Sequence, residues 1–150
     1  MKIAIANDHR GYQTKLKIKS ILEKKGYEII DIGTDSEKRV DHPVYAFKLC
    51  DYVKEHNVLG IAICGTGIGM SIAANKVRGI RAALCMDEYM AEMSRKHNNA
   101  NVLCLGARLD AMSNLENATK IVDAFINNFY EGGRHDARLE KIKKIEKENI

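Results

Sequence analysis

Proline and aromatic residues are scarce in this chain of 150 residues, which has one proline and only 6% aromatics. Hydrophobic residues make up 45% and charged residues 29%, so the scarcity marks an ordinary globular chain, neither proline-rich nor of low complexity, and it has no internal repeat. No apolar run approaches the roughly 18 residues of a membrane span, and a strand pattern starts at Lys2 with nothing like a leader before it. The expectation is a cytoplasmic protein with no membrane partner. Cys50, Cys64, Cys85 and Cys104 contain no C-x-x-C pair, and three of them lie within or at the end of apolar runs, so reduced, buried thiols are expected. The formal charge of +4 is modest, and the lysines of residues 140–148 are interleaved with glutamates. That tail reads as a solvated helix face, with no nucleic-acid partner implied. One domain over residues 1–150 accounts for the length, burying about two thirds of the unfolded surface.

Within that frame the apolar and turn patterns predict five strands, at 2–7, 27–32, 59–64, 80–85 and 100–105. Predicted helices alternate with them: 12–25 closed by Gly26, a helix from Asp41-His42-Pro43 to about 55 with the aspartate as its cap, 70–76, 87–97, 114–130 and 134–147. Gly33 to Val40 reads as a polar loop and Glu131-Gly132-Gly133 as a break. Strand and helix in alternation specify a parallel, doubly wound α/β sheet covered on both faces. Such sheets bind ligands beyond the carboxyl ends of their strands, where Asp8-His9, residues 64–71 and Arg108 are expected.

The stretch that organises the rest is Cys64-Gly65-Thr66-Gly67-Ile68-Gly69-Met70-Ser71, a strand end followed by a glycine turn and a helix start. Three glycines in five positions let a ligand approach the backbone, and the free N–H groups of the new helix suit an anion or a developing oxyanion. Cys64 alone reads as a core cysteine. The turn beside it points instead to a thiol whose ionisation the helix dipole favours. Thr66 is either a turn residue or a hydroxyl within reach of whatever the loop holds. A C-x5-R phosphatase loop is ruled out by Met70, which stands where the arginine would be, and the G-x-G-x-G spacing departs from the dinucleotide fingerprint although Asp87 lies at a suitable distance. His9 and His97 each read as an ordinary polar histidine or as an imidazole of the site. No further ligands at workable spacing accompany them, so no metal is expected. Arg134 and Arg138, four apart on one helix face, make a fork suited to a phosphate dianion or are simply surface arginines, and His135 between them either joins the site or packs. The apolar side of this last helix needs a partner, which makes a neighbouring subunit plausible.

Asp8-His9, the run from Cys64 to Asn75, Arg95-x-His97-Asn98, Gly106-x-Arg108 and Glu131-Gly-Gly-Arg134-His135-x-x-Arg138 together resemble the ribose-5-phosphate isomerase type B family over nearly the whole chain. The group also resembles allose-6-phosphate and galactose-6-phosphate isomerases. The resemblance implies a three-layer α/β/α sandwich with a Rossmann-like five-stranded parallel sheet and an additional C-terminal helix. It further implies a homodimer or homotetramer with active sites at the subunit interface, acting on a small sugar phosphate without a cofactor in the non-oxidative pentose phosphate pathway. By the same resemblance Cys64 carries the proton between C2 and C1, Thr66 assists, and the backbone of Gly65, Thr66, Gly67, Ile68 and Gly69 holds the enediolate. His97 opens the furanose and Asp8 positions hydroxyls. His9, Arg134 and Arg138 hold the phosphate, with Asn98 and Arg108 completing the set. Some members use a glutamate at the position of Met70 and lack the cysteine; this chain has the cysteine pattern. The alternatives are a six-carbon sugar phosphate as substrate, or a nucleotide- or sugar-phosphate-binding module without catalysis.

Overall fold

The computed structural model describes residues 1–148. Five strands, β1 (Lys2–Asn7), β2 (Glu28–Asp31), β3 (Leu59–Cys64), β4 (Ala82–Leu84) and β5 (Val102–Gly106), form one all-parallel sheet in the order β2-β1-β3-β5-β4. Around it lie α1 (Tyr12–Lys24), α2 (His42–His56), α3 (Ile68–Asn75), α4 (Glu88–Asn98), the single turn α5 (Asp110–Ser113), α6 (Leu115–Asn127) and α7 (Asp136–Glu148). Strand order reverses beside β1 and β3, so the crevice such sheets use for ligands opens at Asn7 and Cys64.

The strands alternate in side-chain size. Ile3, Ile5, Ile61, Ile63, Leu103 and Leu105 enter one core with α1, α4 and α6. Ala4, Ala6, Ala62, Cys64, Val102 and Cys104 enter the other with α2 and α3. The small face lets α2 and α3 lie close to the sheet, and that closeness brings the glycine turn down onto β5.

Helix ends follow local chemistry. Gly26 (φ +92) closes α1 with the Tyr27 N–H donating to the Leu22 carbonyl at 3.1 Å and its own N–H to Glu23 at 3.0 Å, while left-handed Asn57 and Asn99 end α2 and α4. The Asp87 carboxylate caps α4 through the Met90 N–H, and Asn114 caps α6. Asp41 occupies the cap position of α2, but its side chain makes no capping bond, contrary to the expectation. Other boundaries shift as well. β4 is three residues long, α3 begins two residues early at Ile68, and α6 stops at Asn127, where Asn128 turns its side-chain amide back to the Ala124 carbonyl. A 3-10 turn, Gly133–His135, precedes α7, in which no residue is buried. Among the described residues no helix is long and apolar enough to cross a membrane.

Candidate active site

Cys64 ends β3 with 5% of its surface exposed, at the wall of a cleft of about 300 Å³. The turn after it is held from two sides. The Asp8 N–H donates to the Ile63 carbonyl, and the N–H groups of Ala107 and Arg108 donate to the carbonyls of Cys64 and Gly65 at 2.8 and 2.9 Å. Gly67 takes φ +77, and a Cβ there would stand 2.5 Å from Leu84 Cδ1 and 3.0 Å from the Leu105 carbonyl carbon, so only glycine fits. The first helical bond of α3 runs from Ser71 N–H to Gly67. Ile68 N–H is taken by Thr66 Oγ1 at 3.2 Å, so the amides of Gly69 and Met70 remain as donors at the helix start. Position 70 is a fully buried methionine and offers no carboxylate to compete with Cys64.

Asp8, buried, accepts from the N–H groups of Arg10 and Gly11 through Oδ1, which fixes the loop leaving β1. His9, in the cleft wall, accepts at Nδ1 from Val40 N–H at 3.2 Å, which leaves Nε2 as the donor of the neutral ring. Arg10 and Arg108 both lie against Gly65, where a Cβ would stand 3.1 Å and 3.8 Å from their Cδ atoms. Arg39 and His42, from the loop between β2 and α2 and the start of α2, complete the cleft. Among the described residues neither Arg10, Arg39 nor Arg108 has an acid within ion-pair distance. Such guanidiniums suit an anionic ligand. Arg10, Arg39 and His42 are not among the site residues expected from the sequence. Their signal was available, since the loop leaving β2 emerges at the same rim as the loop leaving β1.

The remaining expected residues lie elsewhere on the subunit. α4 runs back against the strands, so His97 and Asn98 at its end stand where β5 begins, whereas Cys64 pairs with Gly106 where β5 ends. The four steps of strand between those ends span about 13 Å. The C-terminal segment joins His97 at this far rim: Glu131 N–H donates to the Lys96 carbonyl at 3.1 Å, and the Arg95 side chain holds the Asn128 carbonyl at 3.1 Å. His135, with only 3% of its surface exposed, stacks on His97 with ring centroids 4.4 Å apart, and exposed Arg134 and Arg138 flank it. Burial, then His97, then the two arginines hold the His135 imidazole below its ordinary pKa. The sequence expectation that the histidines lack companions is thus corrected, because Glu131 and His135 gather at His97. One chain therefore carries two separated clusters, at opposite rims. One holds the thiol, the helix amides and His9; the other holds two imidazoles and the arginine fork.

The family profile described as Ribose/Galactose Isomerase matches residues 3–142. A curated relative from Escherichia coli, ribose-5-phosphate isomerase B, is 49% identical over 146 residues, covering 97% of this chain and 96% of the relative. The solved ribose-5-phosphate isomerase B of Clostridium thermocellum superposes with a TM-score of 0.95 at 49% identity over the whole of both chains. That of Mycoplasma genitalium, solved with bound ribulose-5-phosphate, superposes at 0.90 with 43% identity, covering 98% of this chain and 97% of that one.

Proposed function

The chain belongs to the ribose/galactose isomerase family, and from that membership we propose that it is a type B ribose-5-phosphate isomerase, an aldose–ketose isomerase interconverting D-ribose 5-phosphate and D-ribulose 5-phosphate. The observation that carries the reading is the Cys64 thiol at a strand end, with the unpaired amides of α3 after it and the Arg10 and Arg108 side chains against the adjacent Gly65. In the forward direction the Cys64 sulfur removes the proton from C2 of the open-chain aldose, and the electron pair moves into a C1–C2 double bond with negative charge on O1. The helix amides and arginines stabilise that enediolate, and losing one such donor costs about 10²- to 10³-fold in rate. Return of the proton to C1, with the O2 proton passing to O1, gives the ketose. Thr66, on the exposed side of the turn, assists at these oxygens. The proton needs one base and a stabilised enediolate, so the reaction requires no metal or organic cofactor.

His97 opens the furanose and Asn98, Arg134 and Arg138 hold the substrate, with His9 and Arg108 on the opposite wall. These groups occupy the far rim of their own subunit, so the reading requires a homodimer, or a homotetramer built from such dimers, in which the His97 half-site of one subunit faces the Cys64 half-site of the other. Support comes from α7, which buries no residue in its own subunit and leaves Ile142 and Ile145 exposed for a partner. Four free thiols agree with a cytoplasmic place in the non-oxidative pentose phosphate pathway.

The test is isomerisation of D-ribose 5-phosphate by the wild type and Cys64→Ala without added metal, alongside binding to both. Turnover by the wild type, and binding without turnover by the variant, are expected. Turnover of allose or galactose 6-phosphate but not of the five-carbon sugar would move the assignment to the six-carbon substrates, and binding without turnover by both proteins would refute it.

A further inference from the structure

We propose that His97, Glu131 and His135 form a binding site for a divalent transition-metal ion, Zn²⁺ in the first instance, and that the bound ion inhibits the enzyme by removing His97 from the reaction. One ligand atom from each residue lies within 4.8 Å of the others, and His97 Nε2 stands 4.0 Å from Glu131 Oε1. Three ligands on one zinc ion sit about 3.4 Å apart, from bonds near 2.0–2.1 Å in tetrahedral geometry. Closing the difference requires half-exposed Glu131 to swing in and partly exposed His97 to turn out of its stack on His135.

A second, independent observation is His135 Nε2. It is buried, and among the described residues it has no hydrogen-bond partner, although its ring stacks on His97 within the same cluster. Buried polar atoms are otherwise almost always paired, so this one points to a missing ligand. Two imidazoles and one carboxylate are the donor set of an open zinc site, with a fourth position left for water. Such a set selects zinc, cobalt or copper over magnesium or calcium, which prefer oxygen. The cluster is held in register from outside, by Glu131 N–H on the Lys96 carbonyl and by Arg95 on Asn128. Arg134 and Arg138 oppose a cation, and the Glu131 carboxylate supplies the offsetting charge.

The effect on turnover rests on the isomerase reading; the binding does not. The experiment titrates metal-free full-length protein with Co²⁺, read by its visible absorption, and in parallel measures Zn²⁺ inhibition of D-ribose 5-phosphate isomerisation with Mg²⁺ as control. The variants are Glu131→Gln, which changes an exposed side chain outside the catalytic set, His135→Gln, and Cys64→Ser. Expected are one Co²⁺ per subunit with tetrahedral bands and no thiolate charge transfer, unchanged in Cys64→Ser. Both other variants bind Co²⁺ more than about tenfold more weakly. Glu131→Gln keeps its metal-free activity and needs about tenfold more Zn²⁺ for inhibition. Equal Co²⁺ affinity in Glu131→Gln and wild type, or loss of binding in Cys64→Ser, overturns the site. Metal binding as described in a protein that turns over no sugar phosphate leaves the site standing and removes the isomerase reading instead. Turnover indifferent to Zn²⁺ removes the inhibition.

Discussion

A mixed dimer of Cys64→Ala and His97→Ala subunits decides whether the two half-sites meet across an interface. Each substitution removes a group proposed to transfer a proton, so each parental homodimer should lose about 10²- to 10⁴-fold in kcat. Cys64 and His97 stand at opposite ends of β5 in one subunit, so neither parent can repair itself by a side-chain rearrangement. In the mixed dimer one site pairs the alanine of one subunit with the alanine of the other, and the second pairs an intact Cys64 with an intact His97. The purified mixed dimer should therefore recover about half of the wild-type kcat per dimer, at least fifty-fold or so above either parent. The assay is co-expression of two differently tagged chains, sequential affinity purification, and steady-state isomerisation of D-ribose 5-phosphate. A mixed dimer as inactive as its parents would refute the reasoning, because it would mean that both groups act within one subunit.

Gly67→Ala should destabilise the fold by about 2–4 kcal/mol in urea unfolding, from left-handed backbone strain and the Leu84 and Leu105 contacts together, and a cost below about 0.5 kcal/mol would contradict the packing described. Lys15 has 1% of its side chain exposed, with Nζ 2.7 Å from the Thr34 carbonyl and 3.2 Å from Asp31. Lys15→Ala should cost about 3–5 kcal/mol and Lys15→Met distinctly less, since methionine refills the volume; equal costs would show that the charge, not the packing, dominates. Burial pushes the thiol of Cys85 up to about 11, that of Cys50 up to about 12 and that of Cys104 up as well. Their thiolates form only as pH climbs towards those values, so iodoacetamide between about pH 7 and pH 9 should label Cys64 alone, with activity falling in step. Mass spectrometry showing a second labelled cysteine in the folded protein over that range would count against it.

What could be read from the chain was whatever chemistry sits next to a strand end in sequence. Asp8 and His9 follow β1, the glycine turn follows β3 and Arg108 follows β5, so the rule for parallel sheets places them at one rim with no further information. His97 and Asn98 obey the same geometry in reverse, because a helix that returns along the sheet ends at the rim where strands begin. The cluster with Glu131 and His135 was beyond reach. It depends on the segment after α6 folding back onto the end of α4 through single backbone contacts such as Glu131 to Lys96, and no periodicity records those. Boundary errors had local causes: Ile68 and Gly69 already belong to α3 because a left-handed Gly67 serves as its cap, and Asn128 ends α6 by bonding to its own last turn. The Ile/Ala alternation of β1 was visible as apolar throughout, but its meaning, a bulky face and a thin one, emerges only once the helices covering each side are known.

In the proposed dimer, the division of the site between the two rims follows from what each half must do. Proton transfer at carbon tolerates little displacement, and the groups proposed to perform it are fixed by the core: Cys64 within β3, the α3 amides beside it, and the turn clamped onto β5 by Ala107 and Arg108. Holding a phosphate is a looser task. Long guanidinium side chains reach it from exposed positions, and Arg134 and Arg138 sit where the subunit packs least, at the start of a helix with no buried residue. A dimer of the proposed kind would keep its reacting atoms within one rigid sheet and leave the charged, adjustable part of recognition to the neighbouring subunit. Assembly would then complete the active site without requiring the sheet to deform.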